Sequence, residues 1–221
     1  MDQSVVEALA REVGSVGKAL HRFKAADWIA PTRCPPMSVT DLAAHMLRGA
    51  NRIDQMLDDG PIDDEPQKDA VTYFQYDAAA EAPAILKRAQ EDAAAFDSTA
   101  TLVKAWDERW SHALRRAREA GDPVLPTIFG TMRLTEYLRT RVLEVTVHHM
   151  DVDDALGRDP HPDAGALEVT GDVLRGLLGT DLRGAGVDDV RFALVGTGRA
   201  PLNDREREML GPLAAKFPLL A

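Results

Sequence analysis

The chain has 221 residues, which suits one domain of ordinary size, with or without a small appendage. Hydrophobic residues make up 45% and charged residues 28%, so the chain can bury a core and is not disordered. The formal net charge of -10 argues against nucleic acid and against an anionic membrane surface as partners, because both bind basic surfaces.

The ends of the chain and its cysteine content predict a cellular location. The first residues lack a basic stretch followed by an apolar core, and no apolar run approaches about 18 residues. We therefore expect no signal peptide, no membrane span and a cytoplasmic location. Cys34 is the single cysteine, which excludes an internal disulfide and a cysteine-based zinc site. A metal is accordingly expected to bind histidines and carboxylates.

The first half of the chain has helical periodicity. Apolar residues three or four positions apart predict an amphipathic helix over 4–23. Three prolines make 28–37 a loop. Ser38 and Asp41 then resemble a capping box that starts a helix over 39–57.

The second half is predicted to hold further helices. A helical pattern covers about 76–120 with a break near 97–99, and 121–130 is predicted to be a loop. The remaining predictions are a helix over 133–156 that stops at Gly157, a helix over 163–178, a short strand over 191–195, and a last helix capped by Asn203 or Asp204 that reaches about 215. Long helices with at most one strand predict a mainly α protein, a helical bundle.

A polar stripe runs beside the apolar stripe of the helix predicted over 133–156. Its members follow steps of four and three, which stacks them on one side of the helix: Tyr137, Arg141, Glu144, His148, Asp151 and Ala155. Glu144 and His148 lie about 6 Å apart along the axis and can turn to one ion. This spacing is also common by chance, and a weak surface pair is the alternative interpretation.

His45 lies within the apolar stripe of the helix predicted over 39–57. A core histidine with a hydrogen-bond partner is the ordinary interpretation of such a residue. The alternative is a third metal ligand, because helices packed about 8–10 Å apart allow side chains from both to reach one ion. Three protein ligands leave one position open, as in catalytic zinc sites.

The other histidines and the cysteine have less promising positions. His149 is predicted on the apolar side of its helix, His112 on a charged helix, and His161 in a loop between two prolines. Cys34 is interpreted as a small buried hydrophobe rather than a nucleophile, because the sequence places no base beside it.

Two stretches of the chain resemble the N-terminal domain of mycothiol-dependent maleylpyruvate isomerase: Trp28 to Pro35 with Ser38 to His45, and Thr140 to Val152. Such domains belong to the DinB-like superfamily of four-helix bundles, which hold a divalent metal between helices. The resemblance implies a DinB-like four-helix bundle over 1–178 and a short C-terminal α(+β) extension over 179–221 that packs on it.

The resemblance also implies a site and a chemistry. His45, Glu144 and His148 match the zinc ligands of the family, although nickel, iron and manganese also accept this ligand set. The implied function is a thiol transferase or isomerase, in which the metal-bound thiolate of mycothiol or a similar small thiol attacks a small electrophile. Arg141 is predicted to hold an anionic substrate, with an ion pair to a neighbouring acid as the alternative. Asp151 is predicted to support a liganding imidazole or to act as a general base, with capping of an adjacent segment as the alternative.

Two departures from the family pattern narrow the function that the resemblance implies. Pro36 and Met37 stand where the family usually has Gly-Trp, which alters the loop near the metal helix. About 40 residues follow Leu178, too few for the separate C-terminal domain of the isomerase, so we expect a short member that does not act on maleylpyruvate. The alternatives are a hydrolase with zinc-activated water and a non-catalytic, metal-stabilised bundle that binds a small molecule or a protein.

Overall fold

The computed structural model describes residues 2–75, 78–181 and 188–220. Over these residues the chain is mainly helical, as predicted. The helices are α1 (Gln3–Leu20), α2 (Ala25–Trp28), α3 (Val39–Asp59), α4 (Ala78–Ala94), α5 (Thr99–Glu119), α6 (Leu134–Ala155), α7 (Ala164–Leu178), α8 (Asp189–Gly196) and α9 (Asp204–Leu210), with 3-10 turns over Thr72–Phe74 and Gly211–Lys216. None of the helices in these ranges is long and apolar enough to cross a membrane.

Four helices form the bundle: α1 packs on α5 and α6, and α3 packs on the same two from the other side. The helix α4 lies against α3, and α7 lies against α1 and α6. The core between them is fully buried at positions such as Leu9, Leu42, Trp106 and Leu138. The apolar stripes of α1, α3 and α6 supply it, which explains why helical periodicity predicted these elements.

Side-chain caps fix where the helices begin. Ser38 and Asp41 form the predicted capping box of α3, with the backbone N–H of Ser38 donating to the Asp41 carboxylate at 2.8 Å. Ser98 caps α5 and thereby makes the predicted break near 97–99. Asn203 caps α9, and it is one of the two residues predicted as the cap of this helix. The predicted helix start at 76 lies outside the described residues.

The loop predicted over 121–130 is wrong, because this segment begins a β-hairpin. Strand β1 (Val124–Thr127) pairs with β2 (Gly130–Arg133) in antiparallel register. Leu125 and Met132 lie directly opposite each other and both are fully buried. Burial of this cross-strand pair stabilises the hairpin although β1 contains a proline, the residue that had indicated a loop.

The strand predicted over 191–195 is also wrong, because these residues belong to α8. The Asp188 side chain accepts a hydrogen bond from the backbone N–H of Arg191 and caps the helix. Phe192 and Ala193 are buried against residues of α6 and α7. A short apolar run has no period that separates strand from helix, so the cap and the packing decide the structure here.

Candidate metal centre

His45 of α3 meets Glu144 and His148 of α6 at the contact between the two helices. The Nε2 atom of His45 lies 3.2 Å from Oε1 of Glu144. The imidazole rings of His45 and His148 meet edge to face, with centroids 5.3 Å apart. Each of the three side chains is 16% exposed, so all three are shielded but still reachable from solvent. The structure thus places His45 beside both Glu144 and His148, but the three residues are not among the described groups whose ligand atoms all lie within 4.8 Å of one another.

Glu144 is held as a carboxylate by a buried arginine. Burial alone would raise the pKa of Glu144, but the Arg141 guanidinium and the hydrogen bond with His45 lower it to about 2. Arg141 forms an ion pair with Glu144 one turn along the helix and lies over the ring of Tyr137, 4.9 Å from its centroid. This contact is the ion pair given above as the alternative role of Arg141, with Glu144 as the partner.

Asp151 links His148 to an arginine from the C-terminal segment. One Asp151 oxygen lies 2.9 Å from Nδ1 of His148, and Arg199 donates to both Asp151 oxygens at 3.1 and 2.8 Å. Burial would raise the pKa of the fully buried Asp151, but these hydrogen bonds lower it. For His148, by contrast, burial lowers the pKa, because it disfavours the charged imidazolium. The neutral imidazole therefore donates from Nδ1 and leaves Nε2 as a free electron-pair donor.

Cys34 and Arg199 adjoin this group, and the sequence interpretation gave neither a role there. The Cys34 Sγ atom lies 3.5 Å from Asp151 and 3.8 Å from Arg199. Cys34, His148 and Asp151 each offer a ligand atom, and these atoms lie within 4.8 Å of one another. Burial and the Asp151 charge raise the pKa of Cys34 to about 11, so it is a thiol at neutral pH.

A signal for Cys34 was present in the sequence, since it lies inside the first motif that carried the resemblance. Arg199 was given no place in the site, because it lies 48 residues from Asp151 and outside any predicted helix. Its position became visible only when the turn after α8 was placed against α6.

The residues of this group fit a divalent transition metal. Two imidazoles and one carboxylate are ligands that zinc and similar ions prefer. The Nε2 atom of His45 faces the Glu144 carboxylate, and Asp151 engages Nδ1 of His148 and leaves its Nε2 available to a metal.

A mainly helical bundle with histidine and carboxylate side chains between its helices is the architecture of the DinB-like superfamily. The family model of the mycothiol maleylpyruvate isomerase N-terminal domain, a member of this superfamily, matches residues 9–153. The chain therefore belongs to this family. No curated protein and no solved structure matches the chain. The matched range ends before α7, so Arg199 belongs to a part of the chain that the family match does not cover.

Proposed function

We propose that this protein is a metal-dependent thiol transferase or isomerase that uses mycothiol or a similar small thiol. His45, Glu144 and His148 would hold the ion, with zinc as the expected metal. The observation that carries the proposal is the meeting of His45 with Glu144 and His148 in a chain of a mycothiol-related family. When bound, a divalent ion with an open position favours the thiolate form of a coordinating thiol and so supplies the nucleophile.

Neighbouring residues keep Glu144 ionised and orient the ring of His148. Arg141 keeps Glu144 ionised, and Asp151 fixes the ring of His148 by accepting from its Nδ1. Arg199 in turn holds Asp151 as a carboxylate. Of the two roles predicted for Asp151, this arrangement supports the orienting one, because a carboxylate with a lowered pKa and a bidentate arginine is a poor proton acceptor.

The hydrolase alternative receives less support from the same surroundings. A hydrolase needs a general acid or base that titrates near neutral pH beside the attacking water. Asp151 has a lowered pKa, and Cys34 has a pKa raised to about 11, so neither group near His148 is suited to that role. A thiol that arrives as the nucleophile needs no such base once the ion has favoured its ionised form.

The metal content of the purified protein is the first test. We expect the proposed ligands to contribute about one equivalent of zinc or a similar ion to the total measured by plasma mass spectrometry, and His148→Ala should lower that total by about one equivalent. His112→Ala is the matched control, because His112 also pairs with an aspartate at 2.9 Å but lies on the exposed side of α5. A total metal content in His148→Ala equal to that of the wild type would refute the assignment.

Thiol consumption is the second test. The protein is incubated with mycothiol and a panel of small electrophiles, with and without added zinc, and both the loss of free thiol and the conversion of the electrophile are followed, because an isomerase returns the thiol. We expect turnover by the wild type and by His112→Ala, and none by His148→Ala. Hydrolysis of esters or amides without any thiol would instead support the hydrolase. Inactivity with every thiol and every ester would instead support the alternative of a non-catalytic, metal-stabilised bundle.

A further inference from the structure

A second cluster of histidine and carboxylate side chains lies where α6 ends. His149, Asp153 and His161 each offer a ligand atom, and these atoms lie within 4.8 Å of one another. His161 Nδ1 lies 2.8 Å from the Asp153 carboxylate. The rings of His149 and His161 meet edge to face, with centroids 4.9 Å apart. This cluster takes no part in the function proposed above.

His149 has one engaged nitrogen and one unsatisfied nitrogen. Its Nδ1 lies 2.7 Å from the carboxylate of Glu12 on α1. Its Nε2 is buried and has no hydrogen-bond partner among residues 2–75, 78–181 and 188–220, and the side chain is only 1% exposed. Buried polar atoms are almost always paired, so an imidazole nitrogen left open beside two other ligand atoms indicates a missing partner.

Two buried carboxylates lie beside the ring of His149. The side chains of Glu12 and Asp153 are buried, at 0% and 1% exposure. Over the described part of the chain, neither carboxylate contacts a lysine or an arginine side chain. Their partners are the two histidines and the backbone N–H groups of Asp163 and His161. Buried carboxylates of this kind are stabilised by a cation, and a divalent ion would supply the charge.

The end of α6 and the turn that follows it bring His149, Asp153 and His161 close together. His149 and Asp153 lie one turn apart on α6, so they share a face. Gly157, at φ 64°, lets the chain reverse, and the backbone N–H of Arg158 donates to the Asp153 carbonyl at 2.8 Å. The chain then returns with His161 against the helix. Because neighbouring helix positions differ by about 100°, His149 points to α1 while His148 points to α3.

We propose that His149, Asp153 and His161 bind a second divalent transition metal ion, with zinc as the expected metal. The free Nε2 of His149 would be one ligand, and Glu12 would orient the ring by holding Nδ1, as carboxylates do for metal-bound imidazoles. The backbone N–H of Asp163, at the start of α7, donates to the other Glu12 oxygen at 2.6 Å. An ion here ties the connection between α6 and α7 to both α6 and α1.

Titration of metal-stripped protein with zinc chloride tests this site separately from the first. By calorimetry we expect two equivalents for the wild type, one for His161→Ala and one for His148→Ala. His21→Ala is the matched control and should keep two, because His21 is likewise 55% exposed and lies 2.8 Å from an aspartate. His161 is exposed, so its replacement should leave the fold intact. Zinc stoichiometry in His161→Ala equal to that of the wild type overturns the proposal.

Thermal unfolding gives a second readout that does not involve activity. In the His148→Ala background, zinc should raise Tm, because binding to the folded state alone stabilises it. The gain should disappear in the double variant His148→Ala/His161→Ala and persist in His148→Ala/His21→Ala. A zinc-dependent gain that survives the loss of His161, or no gain in His148→Ala, contradicts the second site. Loss of metal from His148→Ala bears only on the first.

Discussion

Asp151 is the residue on which the most polar contacts of the candidate site converge. It accepts from His148 on its own helix and from Arg199 of the C-terminal segment, and it touches the thiol of Cys34. Its side chain is 0% exposed, whereas that of Arg199 is 19% exposed. A buried carboxylate is stable in this position only while its partners are present. Single replacements in this group should therefore have large effects on the stability of the protein.

We predict that Asp151→Asn is destabilising by about 3 kcal/mol, because it leaves the Arg199 charge without its partner in a shielded position. It should also weaken zinc binding by about 10- to 100-fold through the loss of the group that orients His148. Urea unfolding and competition with a zinc chelator measure the two effects.

Asp154→Asn is the control for Asp151→Asn. Asp154 lies one turn along on α6 and pairs with Arg33, but both side chains are 40% exposed. A solvated pair of this kind contributes at most about 1 kcal/mol. Equal losses of stability in the two variants would show that the burial of Asp151 does not matter.

At the scale of elements, α3, α5 and α6 approach closely at one glycine. A Cβ atom on Gly49 would lie 3.1 Å from Cη2 of Trp110 and 3.6 Å from Cδ of Arg141. Trp110 is 2% exposed and enclosed by the core, so it has no space into which to move. The lack of a side chain at position 49 therefore allows the helix that carries His45 to approach Trp110 of α5 closely, whereas the contact with Arg141 of α6 is ordinary packing.

Gly49→Ala should be destabilising by about 1–2 kcal/mol, as overpacking outweighs the better helix propensity of alanine. Gly14→Ala is the matched control on α1, where a Cβ would meet nothing within 4 Å. That change should stabilise the protein by about 0.5–1 kcal/mol. Denaturant midpoints compare the two. A stabilising Gly49→Ala would contradict the close packing.

The pairing of α8 with α9 makes stability depend on pH. Arg191 donates to both oxygens of Glu206 at 2.7 and 2.8 Å, and these hydrogen bonds lower the pKa of Glu206 from 4.5 to about 2. A lowered folded-state pKa gives stability that is complete above pH 4.5 and is lost as the pH falls from 4.5 toward 2.

Glu206→Gln should therefore cost about 1 kcal/mol at neutral pH, and its difference from the wild type should shrink at acid pH. Urea unfolding at pH 7, 5, 4 and 3 measures this difference. Glu208→Gln, on the exposed side of the same helix, should match the wild type throughout. A difference that stays constant down to pH 3 would rule out the ion pair as its cause.

For the whole molecule, the C-terminal segment shares a core with the bundle. Phe192 and Ala193 of α8 pack with Leu143 and Val147 of α6 and with Leu174 of α7. Folding of residues 179–221 onto the bundle stays a prediction in thermodynamic terms. Contacts that couple the two parts make the segment and the bundle unfold in one cooperative transition.

Phe192→Ala tests this coupling. Phe192 is 3% exposed, and its truncation should cost about 3–5 kcal/mol. The three tryptophans all lie in the bundle, at positions 28, 106 and 110, so their fluorescence reports its unfolding. We expect the fluorescence midpoint in urea to fall with the circular dichroism midpoint. Met209→Ala, at a 43% exposed side chain, should change neither. An unchanged fluorescence midpoint in Phe192→Ala would mean that the segment folds separately.

The sequence by itself determined the long helices, their caps and the residues that share a helix face. Ser38 and Asp41 starting α3, and Glu144 and His148 lying one turn apart, depend only on neighbours within four positions. Helix periodicity and capping are local, so a linear pattern contains them. Short elements were missed for the same reason: the hairpin and α8 depend on burial against distant residues.

Only the tertiary structure decided which faces meet. It brought His45 to Glu144, Arg199 to Asp151 and His161 to Asp153, and it gave Arg141 a partner. These contacts depend on how helices pack and where loops return, and many packings satisfy the same apolar stripes. Ligand types and spacing are therefore encoded locally, whereas the positions of the remote partners follow from the packing of the whole chain.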